Sequence, residues 1–371
     1  MKLLIGSGLV FVGVAAISEP AWACGGGGVA SSSGVVMDAQ RIIMSRRANG
    51  TTDVVAQVGV PSTTADYGLL IPVPSEPTID AQPVSATELA SLDTLTVPRI
   101  NTESSGSDAP GCGCGAASKA GDDTRGGSNR GVTTNPPVTI GPVEAVSLTG
   151  DSAEAINTWL SENGFALTQA DVQTLTAYVG DGNYFIAIRR SDSAVTGGPT
   201  SIGIHYTLAG DHRKLSLGFA RIGAAETVAF TLFLAAPQAI GPSAPFKALT
   251  LGDLESSLLR NSGYPAAVQA AVTSHDSKAF VLEGTTSQTD LVHTVPSIAR
   301  LIDDGAVITR ATTVIQRTAL SDDVVFATPY SGNIPNYVYA SVLTQHPRYA
   351  SFGPLGVLFA AGALRRRWRG R

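Results

Sequence analysis

The chain has 371 residues, 40 of them Gly and 21 Pro, and only 15% are charged. That length supports one large or two ordinary hydrophobic cores. The formal net charge is −5, and setting aside the five arginines of residues 365–371 leaves −10. An acidic body without a basic stripe, and with few aromatics among its Lys and Arg, excludes a nucleic-acid partner.

In chain order, the first segment reads as an export signal. Met1-Lys2 is a short positive start, Leu3 to Ile17 is apolar, and Ser18-Glu19-Pro20 breaks a helix. Ala21-Trp22-Ala23 fits the small-x-small cleavage rule, so cleavage between Ala23 and Cys24 is expected, with Cys24 the mature N-terminus. A Cys there raises lipidation as an alternative. Ala21 and the bulky Trp22 depart from the usual lipoprotein pattern, so ordinary cleavage is the favoured reading.

Two β-prone runs follow, Val35 to Arg47 and Thr52 to Val60, with the hairpin turn Ala48-Asn49-Gly50-Thr51 between them. A third strand is expected at Tyr67-Gly68-Leu69-Leu70-Ile71-Pro72-Val73-Pro74. Its prolines place its end at a sheet edge or strand terminus. Ser85-Ala86-Thr87-Glu88 is a capping box, opening a helix with Leu89, Leu92 and Leu95 on one face that stops before Pro98. Residues 101–136 hold Val132 as their one large aliphatic residue and read as a flexible loop. Gly111-Cys112-Gly113-Cys114-Gly115 lies inside it.

Order is expected to resume with a strand from Val138 to Leu148. A helix opening at Asp151-Ser152-Ala153-Glu154 buries Ile156, Trp159 and Leu160 and ends at Asn163-Gly164. A second helix, Ala170 to Val179, carries Val172, Leu175 and Val179. Strands are expected at Tyr184–Arg190, Ser201–Thr207, Lys214–Ala220 and Thr227–Leu234, then helices near 252–261 and 265–274. A strand at Ala279–Leu282, a helix around 296–303, and strands at Val307–Gln316 and Asp323–Thr328 complete the body. The fold class is α+β: mostly antiparallel sheets, sandwich-like, with several inserted short helices. An N-terminal signal peptide and a C-terminal hydrophobic segment flank it.

The last segment is the apolar run Phe352 to Leu364, followed by Arg365, Arg366, Arg367, Trp368, Arg369, Gly370 and Arg371. With Tyr349, Ala350 and Ser351 it reaches roughly 24 Å as a helix, short of a hydrocarbon core of roughly 30 Å. Bilayer thinning and snorkelling arginines make a marginal span. The positive-inside rule then keeps the Arg cluster in the cytoplasm and the body on the periplasmic or extracellular side. The same layout resembles bacterial C-terminal sorting signals, which deliver a protein to the cell surface. A third reading is a basic amphipathic tail on a membrane surface.

The thiols are Cys24, Cys112 and Cys114. In an exported protein a disulfide is favoured, either within Cys112-x-Cys114 or from Cys24 to one of them. Capture of a metal by all three would need a fourth ligand, and no His lies near the loop in sequence. A free or lipidated thiol is the remaining reading. The histidines are scattered. His205 reads as a satisfied or surface residue, and His275-Asp276 as a helix end. Gly180-Asp181-Gly182-Asn183 reads as a turn, Asp322-Asp323 as solvated surface and Trp159 as core. The H-E-x-x-H, G-x-S-x-G and P-loop patterns are absent from the sequence.

Taken in order, several of these pieces resemble a bacterial family of exported proteins of unknown function, DUF2330. They are Ala23-Cys24-Gly25-Gly26, Tyr67 to Pro74 with Glu76-Pro77, the Cys112-Gly113-Cys114 cluster, and Gly141-Pro142-Val143-Glu144-Ala145-Val146. Trp159 to Phe165, Tyr184 to Arg189, Ile308-Thr309-Arg310 and Asp322-Asp323-Val324-Val325-Phe326 follow. The resemblance implies one exported domain over 24–330, interrupted by the loop at 101–136. A signal peptide at 1–23, a linker at 331–351 and a transmembrane or sorting segment at 352–371 surround it. It supplies no catalytic residue. The expectation is a non-enzymatic envelope protein without a cofactor. Its partners are the membrane, through the C-terminal segment, and an envelope protein or surface ligand. An envelope thiol or metal protein using Cys24, Cys112 and Cys114, and a hydrolase with a dispersed site, are the alternatives.

Overall fold

A computed structural model describes residues 21–22, 27–31, 37–60, 67–102, 131–165, 167–191 and 200–340. The main strands are β1 (Gly28–Ser31), β2 (Met37–Arg46), β3 (Thr51–Val60), β4 (Tyr67–Val73), β5 (Arg99–Thr102), β6 (Val132–Thr134), β7 (Val138–Ile140) and β8 (Val143–Gly150). After them come β9 (Tyr184–Arg190), β10 (Thr200–Ala209), β11 (Ala224–Ala236), β12 (Lys247–Thr250), β13 (Ala279–Ser287), β14 (Val307–Gln316) and β15 (Tyr337–Ala340). The helices are α1 (Ala86–Thr96), α2 (Ala153–Glu162), α3 (Gln169–Gly180), α4 (Leu217–Ala220), α5 (Ser256–Asn261), α6 (Tyr264–Thr273), α7 (Gln288–Leu291) and α8 (Pro296–Ala299).

Local chemistry explains the first hairpin. The Gly50 N–H donates to the Arg47 carbonyl, and Gly50 takes φ 87°, the left-handed position that closes a three-residue loop. Asn49 Oδ1 accepts from the backbone and side chain of Thr51 at 3.0 and 2.8 Å. β2 and β3 then pair antiparallel from Arg46↔Thr52 to Ile42↔Ala56.

The strands form two main sheets. The larger runs β12–β13–β14–β11–β2–β3–β10, with two-residue strands extending it to ten. The smaller, six-stranded sheet runs β7–β8–β9–β4–β1, with β6 also on β8. Most pairs are antiparallel; β2 with β11 and β12 with β13 are parallel. A separate parallel ribbon joins β5 to β15. β1 pairs with β4 only from Tyr67 to Leu70, so Pro72, which has no N–H, needs no partner on that side.

Alternation along the strands shows why both sheets are covered on both faces. Ile42, Met44, Val54, Ala56, Leu232 and Leu234 of the large sheet share one core with Leu69, Ile71, Ile186 and Ile188 of the small sheet. Leu70, Phe185 and Ala187 turn the other way and pack under Ile156, Trp159, Leu160, Leu175 and Tyr178 of α2 and α3. Ile43, Val55, Phe233 and Ala235 turn to the far face of the large sheet, under Leu89 and Leu92 of α1 and residues 291–306. The result is helix layer, sheet, sheet, helix layer, an α+β sandwich.

Several expectations change. Val138–Leu148 is a hairpin, not one strand: Ile140 pairs with Val143 across Gly141-Pro142, with Gly141 at φ 55°. Lys214–Ala220 is a two-residue strand followed by α4. The loop expected at 101–136 is entered by β5 and left by β6, where Val132 is buried. Val172 is only half-buried on α3, and Tyr178 joins Leu175 in the core. The helix near 296–303 is the single turn α8, and Asp323–Thr328 contributes Val324–Val325 and Thr328 to two short ribbons. Leu95 is 49% exposed, because six residues along a helix carry it about 120° round from Leu89.

Candidate functional site

The cysteines expected to carry chemistry, Cys24, Cys112 and Cys114, lie outside the described residues, as do Ala23 and the flanking Arg365, Arg366, Arg367, Arg369 and Arg371. Among the described residues no helix is long and apolar enough to cross a membrane. No group of three or more His, Cys, Asp or Glu among them is placed to hold a metal ion.

The described polar side chains converge instead on the outer face of the large sheet, in two clusters flanking an apolar middle. β2 carries Arg41 near one cluster and leads to Arg47 at the other, about 20 Å apart at strand rise.

The first cluster begins at a β-bulge. Leu282 pairs with Ala311 and Gly284 with Arg310, leaving Glu283 as the extra residue. Glu283 is 0% exposed. Its carboxylate accepts from Arg310 Nε and the Tyr264 hydroxyl. Arg310 Nη1 donates to Asp93 Oδ1 of α1 at 2.5 Å and to Thr96 Oγ1 at 3.1 Å. Its guanidinium lies 5.4 Å from the Phe233 ring centroid. Arg41 Nη2 donates to Asp93 Oδ2 at 3.0 Å, and Arg41 Nη1 to Gln57 Oε1 at 3.3 Å. Gln57 Nε2 continues to Ser201 Oγ at 2.7 Å. Burial works against the Arg310 charge, but Glu283 and Asp93 outweigh it and hold the guanidinium pKa above its ordinary value. Burial, then the Glu283 charge, push the Tyr264 phenol well above its ordinary value. Two cations here meet two carboxylates, so the cluster clamps α1 and the start of α6 to the sheet.

The second cluster centres on His205 of β10. Its Nε2 lies 3.0 Å from Asp53 Oδ1 and its Nδ1 3.2 Å from Asp80 Oδ2. An imidazolium donates to both carboxylates, and a neutral ring donates to one. Thr207 Oγ1 donates to Asp53 Oδ1 at 2.7 Å. Arg47 Nε lies 3.7 Å from Asp53 Oδ2 and 3.0 Å from Asp303 Oδ1, joining the first hairpin to the chain after α8. Burial pushes the Asp53 carboxyl up, but hydrogen bonds from His205 and Thr207 and the charges of His205 and Arg47 hold it below its ordinary range. Asp80 is held low despite its burial by the Gln82 N–H, His205 and Arg300. The ring is therefore a satisfied histidine, with both edges engaged.

A third cluster corrects the reading of Asp323 as solvated surface. Asp323 Oδ1 accepts from the Tyr178 hydroxyl at 2.6 Å and from the Gly218 N–H at 3.2 Å. Its Oδ2 lies 2.9 Å from Lys214 Nζ, and the Phe219 N–H donates to Tyr178 at 2.9 Å. These bonds hold the first turn of α4, which is why that stretch leaves the extended conformation. Burial and Asp323 push the Tyr178 phenol well up. Asp322 stays half exposed, paired with Lys278 at 2.7 Å. His275 closes the α6 C-terminus on the Ala271 carbonyl, Gly182 turns at φ 74°, and Trp159 is core, as expected.

Neither Arg310 nor Glu283 belongs to a chemical motif in the sequence. Each is the lone charge in an apolar strand, Val307–Gln316 and Ala279–Gly284, and such a charge requires a buried partner.

The two packed sheets and their helix layers define the protein as an α+β sandwich. The chain belongs to a family of uncharacterized proteins conserved in bacteria, DUF2330, whose profile matches residues 20–208. That span takes in the motifs from Ala23 to Arg189; those at Ile308–Arg310 and Asp322–Phe326 lie beyond it. It is not a separate folded unit, because β2 lies between β3 and the later β11 in one sheet. No curated protein and no solved structure matches the chain.

Proposed function

We propose that this is an exported envelope protein whose sandwich stands outside the cytoplasmic membrane, held by the segment after residue 351, with a body that binds or builds rather than catalyses. The observation that carries this reading is the pairing of two sequence segments. One is the apolar stretch Leu3–Ile17 with Ala21-Trp22-Ala23 after it, and the other is Phe352–Leu364 with five arginines after it. The body supports it in kind: its ion clusters fasten one element to another, α1 to the sheet through Asp93 and the 47–50 turn to Asp303. The last described strand, β15, is fixed to β5, so the chain running towards the tail leaves from a defined point.

The test is carbonate extraction of native membranes together with protease added to spheroplasts. The reading predicts a carbonate-resistant protein whose body is digested from outside, and release of the body when residues 352–371 are deleted. A body protected until the cytoplasmic membrane is broken overturns it.

A further inference from the structure

Among the described residues, the large apolar side chains left exposed are Leu95, Val97, Val292, Val325 and Tyr337. Leu95 lies in the last turn of α1, Val97 just after it, and Tyr337 opposite Arg99 in the β5–β15 ribbon. The ribbon has two unlike faces. Pro98 is buried, and Ile100 and Val338 pack on the core. Period-two alternation therefore puts Val97, Arg99 and Asn101 on the other face, with Tyr337 beside Arg99. Val97 is 50% and Tyr337 52% exposed. An aromatic hydroxyl, an arginine and two aliphatic side chains form the mixture that suits the boundary between headgroups and acyl chains.

The ribbon also says where the tail starts. β5 and β15 run parallel, ending together at Thr102↔Ala340. Eleven residues separate Ala340 from the start of the apolar run at Phe352. Eleven residues of any chain reach at most about 36 Å, and a random coil of that length about 20 Å. A body on so short a tether faces the bilayer at high effective concentration, so a small apolar face suffices to seat it.

We propose that the face formed by Leu95, Val97, Arg99 and Tyr337 rests on the lipid bilayer that holds the tail. This rests on the anchoring reading above. It gives the body a fixed orientation on the membrane, and it places the start of the cysteine-containing segment, after Thr102, beside the tail's point of departure.

The test uses the full chain in vesicles of phosphatidylethanolamine and phosphatidylglycerol. Val97→Trp adds an indole on the face, and Trp368 lies in the tail. Emission of the variant, less that of the parent, is read with brominated phospholipid and with aqueous iodide. The proposal predicts that bromolipid quenches most of the added emission and iodide little of it. It also predicts that Tyr337→Glu in the Val97→Trp background reverses that order, with the protein still bound to vesicles. An added indole quenched by iodide alone, while the protein floats with the vesicles, overturns the docking and leaves the anchor standing. An added indole shielded from both quenchers means that protein covers the face, either the tail folded back or a second copy, and also overturns it. A chain that does not float with vesicles removes the anchoring reading and the docking with it.

Discussion

Glu283 lies against Arg310 at a β-bulge, where β13 has one residue more than β14. The register Leu282↔Ala311 shifts by one to Gly284↔Arg310, so Glu283 has no ladder partner of its own and its carboxylate meets the guanidinium beside the pair. Asp93 and Tyr264 complete the set.

Breaking this pair from one side is expected to be costly. Arg310→Met leaves Glu283 charged and fully buried, and destabilisation of about 3–5 kcal/mol is expected. Adding Glu283→Leu to Arg310→Met is expected to recover much of that loss. Denaturant unfolding of the single and double variants checks this; additive losses would mean the two side chains act independently.

On α1, Leu92→Ala is expected to cost about 2–5 kcal/mol and Leu95→Ala no more than about 0.5 kcal/mol. Leu92 is buried in the outer core and Leu95 half exposed. Equal losses would place α1 in a different rotation on the sheet.

Asn49-Gly50, the Ser85 and Ser152 caps and Asn163-Gly164 are local signals, and each marks a real boundary. Gly141-Pro142 is an equally local turn signal, embedded in a long β-prone run. The bulge at Glu283 and the parallel pairing of β2 with β11 rest on contacts between distant segments, which no local pattern specifies. The clamps were visible only as charges out of place: Arg310 and Glu283 in apolar strands, and His205 in a β-prone run. Of their partners, Asp93 sits in a helix and Asp80 in a loop, where carboxylates are ordinary, and Asp53 near the start of β3 beside the hairpin turn.

The His205 cluster gives the protein an acid-sensitive element. Asp53 and Asp80 both have folded pKa values below the ordinary 3.8. Stability from a lowered carboxyl is present above the unfolded pKa and lost as pH falls through the folded one. The denaturant midpoint is therefore expected to drop as pH falls below about 4, and Asp53→Asn is expected to flatten that drop. An Asp53→Asn variant with an unchanged acid limb would remove Asp53 from the account.

Gly223 occupies φ 63°, and a Cβ there would run into the Val29 carbonyl oxygen of β1. Its own carbonyl accepts from the Met37 N–H at 2.9 Å, so the turn joins the two sheets. Gly223→Ala is expected to destabilise by about 2–4 kcal/mol, and Gly182→Ala, at φ 74° in open space, by about 1 kcal/mol. Thermal unfolding of the two variants makes the comparison.

The central claim, export followed by tethering, is tested most directly by the intact mass and peptide map of the protein purified from native membranes. A chain beginning at Cys24, with peptides from residues 352–371 still attached, is the predicted result. A chain that keeps Met1 to Ala23 and is recovered from the soluble cytosol would contradict it.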